Sequence, residues 1–421
     1  MENGELIPHL FRMEYRKIVS VLAKYFGSPH IDLAEDIASE TFLTATQTWG
    51  INGIPVNPAG WLYAVARNKA INQLKRNAFF EQSIAPEIKS TQSLFTSMVE
   101  SDIDLSPGNI NDSQLQMIFC ICHPSLPREA QVGLALRILC GFGIDEIATA
   151  FLTNRETINK RLQRAKQKLR ELEIAIALPQ EPEMEERLDQ VLTTIYLLFN
   201  EGYYSVSGQQ PIRRELCFEA MRLCYLLIEN QQTNKPRVNA LLSLMCFHAS
   251  RLDARTAENG ELILYDDQDQ SLWNSDLVSK GAYFLNQAAS GSDLSAYHLQ
   301  AGIAYWHTQK KDTAEKWENI LQFYNLLLQL EYSPIAAMNR TYALSKVHGK
   351  EFAIKEAEKL RLEENHFYYI LLGELYTGIN NSSARVYFEK ARELANTSAE
   401  KQIIGVKLDK LDQARPYNNS G

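Results

Sequence analysis

Asn159, Lys160, Gln163, Arg164 and Gln167 fall on one side of a single helix-periodic stretch. At about 100° per residue they lie opposite Ile158, Leu162, Ala165 and Leu169, which recur at i, i+4, i+7 and i+11 and form an apolar stripe. Amides and cations gathered on one exposed helical face supply the donors and acceptors that read base edges and phosphates. A second group sits upstream. Trp61 and Tyr63 are followed by Arg67, Asn68, Lys69, Asn72, Lys75 and Arg76, with no acid between Trp61 and Phe80. Rings that stack on unpaired bases, beside cations that neutralise phosphate, suit single-stranded or partly melted nucleic acid. For Trp61 taken alone, a core position is the favoured reading. A third group is acidic: Asp32, Asp36 and Glu40 share a helical face with Leu43. It reads either as a surface for a basic or amphipathic partner or, at least as well on physics alone, as a solvated face with one stray leucine.

Other chemistry-bearing groups carry weaker signals. Cys120-x-Cys122-His123 lacks a second ligand pair at zinc spacing. Asp266, Asp267 and Asp269, with Glu261 nearby, lack the glycine-turned loop of a calcium site, and capping of a helix near Trp273 is the favoured reading. No nucleotide loop or nucleophile–base pair is recognisable, so no enzyme activity, metal or cofactor is expected.

The elements that position these groups read as helices throughout. A stripe of Ala34, Ile37, Ala38, Phe42, Ala45 and Trp49 predicts a helix over 32–49, and breakers from Gly50 to Gly60 predict a loop. Asn57 and Pro58 then start the helix that carries Arg67 to Arg76. Residues 81–111, rich in Ser and Thr and dotted with acids, read as a flexible linker. Helices follow from Asp112 and from Pro127 to Gly141. A short helix bearing Ile144, Ile147, Ala148 and Phe151 comes next, then a break at Leu152-Thr153-Asn154. Thr153 with Glu156 predicts a capping box that restarts the chain as the basic helix. Helix, break and basic helix together form a helix-turn-helix pattern.

The 421 residues suffice for two or three domains, and the net charge of −8 argues against non-specific coating of nucleic acid. The acidic surplus falls after residue 172, which predicts different tasks for the two portions. Six cysteines without a CxxC pair, no signal-peptide pattern and no membrane-length apolar run predict a cytoplasmic protein with reduced thiols.

The segments AEDIASETFLTA (34–45), PAGWLYAVARNKAINQLKR (58–76) and LPREAQVGLALRILCGFGIDEIATAFLTNRETINKRLQRAKQKLREL (126–172) resemble, in order, a bacterial sigma factor of the extracytoplasmic-function group. The resemblance implies an all-α chain, with region 2 over 1–80, a linker over 81–111 and region 4 over 112–178. Asp32, Glu35, Asp36, Glu40 and Leu43 match the face that docks on the clamp helices of the largest subunit of core RNA polymerase. Trp61, Arg67, Asn68, Lys69, Asn72, Lys75 and Arg76 match the segment that melts and reads the −10 promoter element. Arg155, Thr157, Asn159, Lys160, Gln163 and Arg164 match positions at the −35 element, with region 4 on the flap of the second-largest subunit. Asn72 departs from the pattern, standing where the family usually has an acid.

Residues 183–415 read as a helical extension. Leu372-Gly373 with Tyr376, then Ala384, Phe388 and Ala391, resemble a tetratricopeptide unit, and Ser333-Pro334 to Leu360 is a looser match. Such pairs stack into a solenoid whose concave face takes a peptide or protein ligand. The whole resembles the sigma-factor subgroup with a tetratricopeptide-like extension that governs activity in cis. A stand-alone helix-turn-helix regulator with a sensing repeat domain would leave the acidic face and the 58–76 segment unexplained. A peptide-binding scaffold with a decayed nucleic-acid module would leave the chain indifferent to changes at Arg164 or Lys160.

Overall fold

A computed structural model describes residues 3–84, 103–151, 153–203, 214–255, 263, 265–291 and 293–413, and every extended regular element among them is a helix. Two compact units divide the chain, residues 1–198 and 199–421. The division falls inside a helix, Glu183–Tyr203, rather than at the prolines Pro179 and Pro182.

The first unit opens with α1 (Asn3–Phe26), α2 (Ile31–Asn52) and α3 (Pro58–Ile84). The expected stripe of α2 is buried from Ala34 to Trp49. That helix runs past Gly50, where a loop was expected, and stops at Gly53. There a φ of 79° turns the backbone into the region that favours glycine, and the amide donates to the Trp49 carbonyl at 3.1 Å. Asn57 caps α3 through the Gly60 amide at 2.9 Å, as its type predicts.

α3 extends to Ile84, into the expected linker, and residues 85–102 lie outside the described residues. The next helix, α4, spans Pro107–Ile121 and begins five residues before the expected Asp112. Ser106 is its N-cap and Pro107 its first residue, the Asn57-Pro58 arrangement over again. α5 (Arg128–Leu134) widens into a π-type turn over Ala135–Leu139, and α6 (Ile144–Ala150) and α7 (Arg155–Glu171) follow. The α7 cap is Asn154, whose side chain accepts the Thr157 amide at 2.8 Å, and the expected capping box at Thr153 does not form. Two adjacent residues of cap-competent type compete here, and the asparagine takes the role.

α8 (Glu183–Tyr203) begins in the first unit, where Arg187 donates to the Phe119 carbonyl at 2.6 Å and Thr194 to Gln131 at 2.8 Å. The second unit continues with α9 (Arg214–Glu229), α10 (Pro236–Ala249), α11 (Ser275–Ala288), α12 (Ala296–Thr308), α13 (Ala314–Leu330) and α14 (Pro334–His348). α15 (Lys350–Leu360), α16 (His366–Tyr376), α17 (Asn381–Leu394) and α18 (Ser398–Gln413) complete it.

Three pairs of neighbouring helices, α10 with α11, α12 with α13 and α16 with α17, set a glycine against a phenylalanine. A Cβ on Gly281 would lie 2.6 Å from Phe247, one on Gly302 2.8 Å from Phe323, and one on Gly373 2.5 Å from Phe388. Only a bare Cα lets the two backbones approach with the ring between them. Ala384, Phe388 and Ala391, expected to face inward, are buried.

Candidate nucleic-acid and partner interface

The three groups of polar residues all belong to the first unit, and each sits on a helix whose opposite side is core. On α2, Asp32, Asp36 and Glu40 are exposed, and Leu43 stands among them with 59% of its surface open. Burial first, then repulsion from Asp32 and Glu35, raises the Asp36 carboxyl above the usual carboxylate range, while Lys166 opposes the shift. Crowded acids kept on the surface present a strong negative face to a partner.

Glu35 differs from its neighbours. The family resemblance placed it among the docking residues, but only 6% of it is exposed, because it turns toward the core. There it accepts from the Tyr15 hydroxyl at 3.2 Å and from Arg137 Nε at 2.7 Å. Arg137 comes from the π-type turn and also donates to the Tyr15 oxygen at 3.1 Å and the Phe142 carbonyl at 3.2 Å. A widened turn re-aims a side chain that regular helix would carry elsewhere.

On α3, Arg67, Asn68, Asn72, Lys75 and Arg76 are exposed, and Lys69, partly covered, pairs with Glu40 of α2 at 3.3 Å. Trp61 is partly buried and meets the buried Trp49 edge-on, with 5.3 Å between ring centroids. Its ring therefore serves the α2–α3 packing, whatever else its open edge does. Tyr63 donates to Glu14 of α1 at 2.5 Å; burial, then this bond, raises its pKa.

On α7, Ile158, Leu162, Ala165 and Leu169 are buried, as the stripe requires. Arg155, Thr157, Lys160, Gln163, Arg164 and Gln167 are exposed and Asn159 is partly so. Lys160 is held by Glu156 one turn back at 2.7 Å, and Arg155 by Asp145 of α6 at 3.3 Å. Such exposed pairs are weak, so an incoming phosphate can replace the carboxylate.

Two further α7 cations do something no local pattern announced. Lys166 donates to Asp32 at 2.8 Å and to Glu35, and Arg170 donates to Asp32 at 3.0 Å and to the Pro29 carbonyl at 3.0 Å. Burial disfavours the charge on Lys166, but Glu35 and Asp32 outweigh it and raise its pKa. Arg12 of α1 and Glu146 of α6 add a further pair at 2.8 Å. The α7 helix thus clasps one end of the acidic face of α2. Residues 131 or more positions apart in the chain meet here.

The other expectations resolve simply. Asp269 accepts the Ser271 amide at 2.8 Å and caps a short turn before Trp273, and Asp267 lies 3.5 Å from Lys410. Glu261 and the Asp266 side chain fall outside the described residues, and no cluster of potential metal ligands occurs among those described. All six cysteines are buried free thiols, and burial pushes those of Cys120, Cys122, Cys217 and Cys246 up to about 12. No helix among the described residues is long and apolar enough to cross a membrane.

Comparison with known proteins bears on both units. Residues 10–80, which hold α1 to α3, match sigma-70 region 2, and residues 187–289 match a family of unknown function, DUF6596. An uncharacterized protein of Rhizobium meliloti (strain 1021) is 32% identical over 401 residues, 93% of this chain and 93% of the relative. No solved structure matches.

Proposed function

Because the chain belongs to one family with the Rhizobium meliloti protein and carries a sigma-70 region 2, we propose that it is an extracytoplasmic-function-type sigma factor whose helical second unit governs it in cis. The observation that carries this reading is the agreement of the region 2 match with what the matched helices expose. One helix offers an acidic ridge around Leu43, and the next offers cations and amides.

In this reading Asp32, Asp36, Glu40 and Leu43 dock on the clamp helices of the largest polymerase subunit. Glu35 acts from beneath the ridge, holding Tyr15, Arg137 and Lys166 rather than touching the partner. Arg67, Asn68, Lys69, Asn72, Lys75 and Arg76 engage the −10 element, with Trp61 as a half-buried ring at its edge. Arg155, Thr157, Asn159, Lys160, Gln163 and Arg164 face the −35 element as the second half of a helix-turn-helix, and region 4 meets the flap of the second-largest subunit. Two separate grips on DNA, both held on polymerase, let each be weak alone through effective concentration. The second unit, read as a tetratricopeptide-like array, takes a peptide or protein ligand.

The clasp of Lys166 and Arg170 on Asp32 gives this reading a closed form. While it holds, one end of the docking ridge is occupied by the α7 helix, so loading onto polymerase requires the two to part. The Arg170–Asp32 pair is exposed and weak and can open readily, whereas Lys166 is largely covered where it meets Glu35 and anchors the clasp.

Run-off transcription with core polymerase tests the function. Promoter-dependent transcripts should appear only when the chain is added, and Arg164→Ala with Lys160→Ala should abolish promoter preference. A chain that binds duplex without polymerase and never yields transcripts is instead a stand-alone regulator.

A further inference from the structure

The second unit gathers a polar group that no role above uses. Its hub is the ring of Tyr265. The Arg251 guanidinium lies 5.2 Å from that ring's centroid, the His307 ring 5.1 Å, the Trp273 ring 6.1 Å and Lys316 Nζ 5.6 Å. His248 completes the group, its Nδ1 3.5 Å from Arg251. These residues come from α10 and the turn just after it, the stretch before α11, α12 and α13, so the fold alone brings them together.

The Tyr265 hydroxyl is committed, donating to the His307 carbonyl at 2.7 Å and accepting from Lys316 at 3.3 Å. Other polar atoms are not satisfied. Arg251 Nε, Trp273 Nε1 and His307 Nδ1 are buried without a hydrogen-bond partner. Arg251 Nε and Trp273 Nε1 carry N–H donors, each costing about 1–3 kcal/mol when left unpaired, so the two ask for an acceptor, while His307 Nδ1 donates or accepts according to its tautomer.

The local field says which kind of acceptor. Burial, then the neighbouring Arg251 and Lys316, lowers the pKa of His307 to about 3. Burial, then Arg251, Arg255 and His307, holds His248 well below the usual imidazole range. Both rings are therefore neutral, beside cations. A water would bring its own donors into this field, whereas an oxyanion only accepts. Tyr265 and Trp273 add flat walls that suit a planar body, and His248, Arg251, Tyr265 and His307 are all partly open to solvent.

We infer that this group is a binding site for a small organic anion, an oxyanion carried on a planar ring, with Arg251 and Trp273 donating to the oxyanion and Tyr265 beside the ring. The site belongs to the second unit by itself and does not depend on the sigma-factor reading.

Isothermal titration of the full chain with benzoate and with phenyl phosphate tests it, and inorganic phosphate serves as the ringless probe. The two ring probes separate a carboxylate ligand from a phosphate one. At least one should bind, and more tightly than inorganic phosphate. Arg251→Gln should weaken that binding about tenfold or more, and Trp273→Phe, which keeps a ring but loses the N–H, should weaken it several-fold. Unchanged helix content by circular dichroism shows that each variant is folded, and if Arg251→Gln is not, Trp273→Phe decides. No binding of either ring probe overturns the inference. So does binding that both folded variants retain at full strength, and so does inorganic phosphate binding as tightly as phenyl phosphate.

Discussion

Between α2 and α7 in residues 1–198 the contacts that close the unit are charges, with Lys166 and Arg170 set against Asp32 and Glu35. Between paired helices in residues 199–421 they are phenylalanine rings set against glycines. Charge contacts at a surface respond to salt, to a competing polyanion and to a competing acidic or basic partner. Ring-on-glycine contacts respond to none of these, because they rest on shape and apolar burial. The contact of α7 with α2 is therefore one that salt or a competing charged partner can loosen, while the ring-on-glycine pairs of the second unit are not. Within the first unit the contrast repeats at small scale. Glu35 is buried under three donors, while Asp32, three residues earlier, pairs at the open rim.

The comparison can be broken most forcefully at Glu35. Glu35→Ala leaves Arg137, Lys166 and the Tyr15 hydroxyl without their shared acceptor, and should destabilise the first unit by about 3–5 kcal/mol in denaturant titration. In the second unit, Gly373→Ala should cost about 1–3 kcal/mol, since the added Cβ would meet the Phe388 ring at 2.5 Å. Hydrogen exchange should locate that loss in α16 and α17.

Next comes pH. His307 is neutral in the folded chain, with a pKa near about 3, while an unfolded histidine titrates near about 6.5. Between those values the unfolded chain binds a proton that the folded one refuses, so stability of the second unit falls as pH drops through that window. His307→Gln should flatten this slope in a melting series. Asp32→Asn, at the rim, should change stability by no more than about 1 kcal/mol. Raising salt from about 0.1 M to about 1 M shortens the screening length from about 10 Å to about 3 Å. It should speed exchange at the α7 end near Arg170 and leave α16 and α17 unchanged.

Local order was legible in the sequence, since a helix's stripe is written within a few turns. The stripes at 34–49 and 158–169, the Asn57 cap and the inward residues Ala384, Phe388 and Ala391 all followed from spacing. Boundaries were less legible where two signals compete. Asn154 outdid Thr153 as a cap, Ser106-Pro107 started α4 inside text that reads as linker, and α2 passed through Gly50 to stop at Gly53.

The exposed face of α7 could be read residue by residue, because exposure follows from the stripe opposite, and that of α3 from a run of cations and amides without acids. Contacts across long separations could not. Lys166 and Arg170 look like any solvated cations, and nothing near Glu35 tells that Arg137, 102 residues on, will draw it inward. The Tyr265 group was hidden for the same reason, as its members come from four separate segments. In each case the missing information is tertiary, carried by packing rather than by period.

Affinity for core RNA polymerase, measured by titrating core with labelled full-length chain, tests the central claim most directly because two variants should move it in opposite directions. Asp36→Arg, on the ridge, should weaken binding about tenfold or more. Arg170→Gln, which loosens the clasp and leaves the ridge intact, should tighten it several-fold. Binding indifferent to Asp36→Arg, or weakened alike by both changes, would contradict the account.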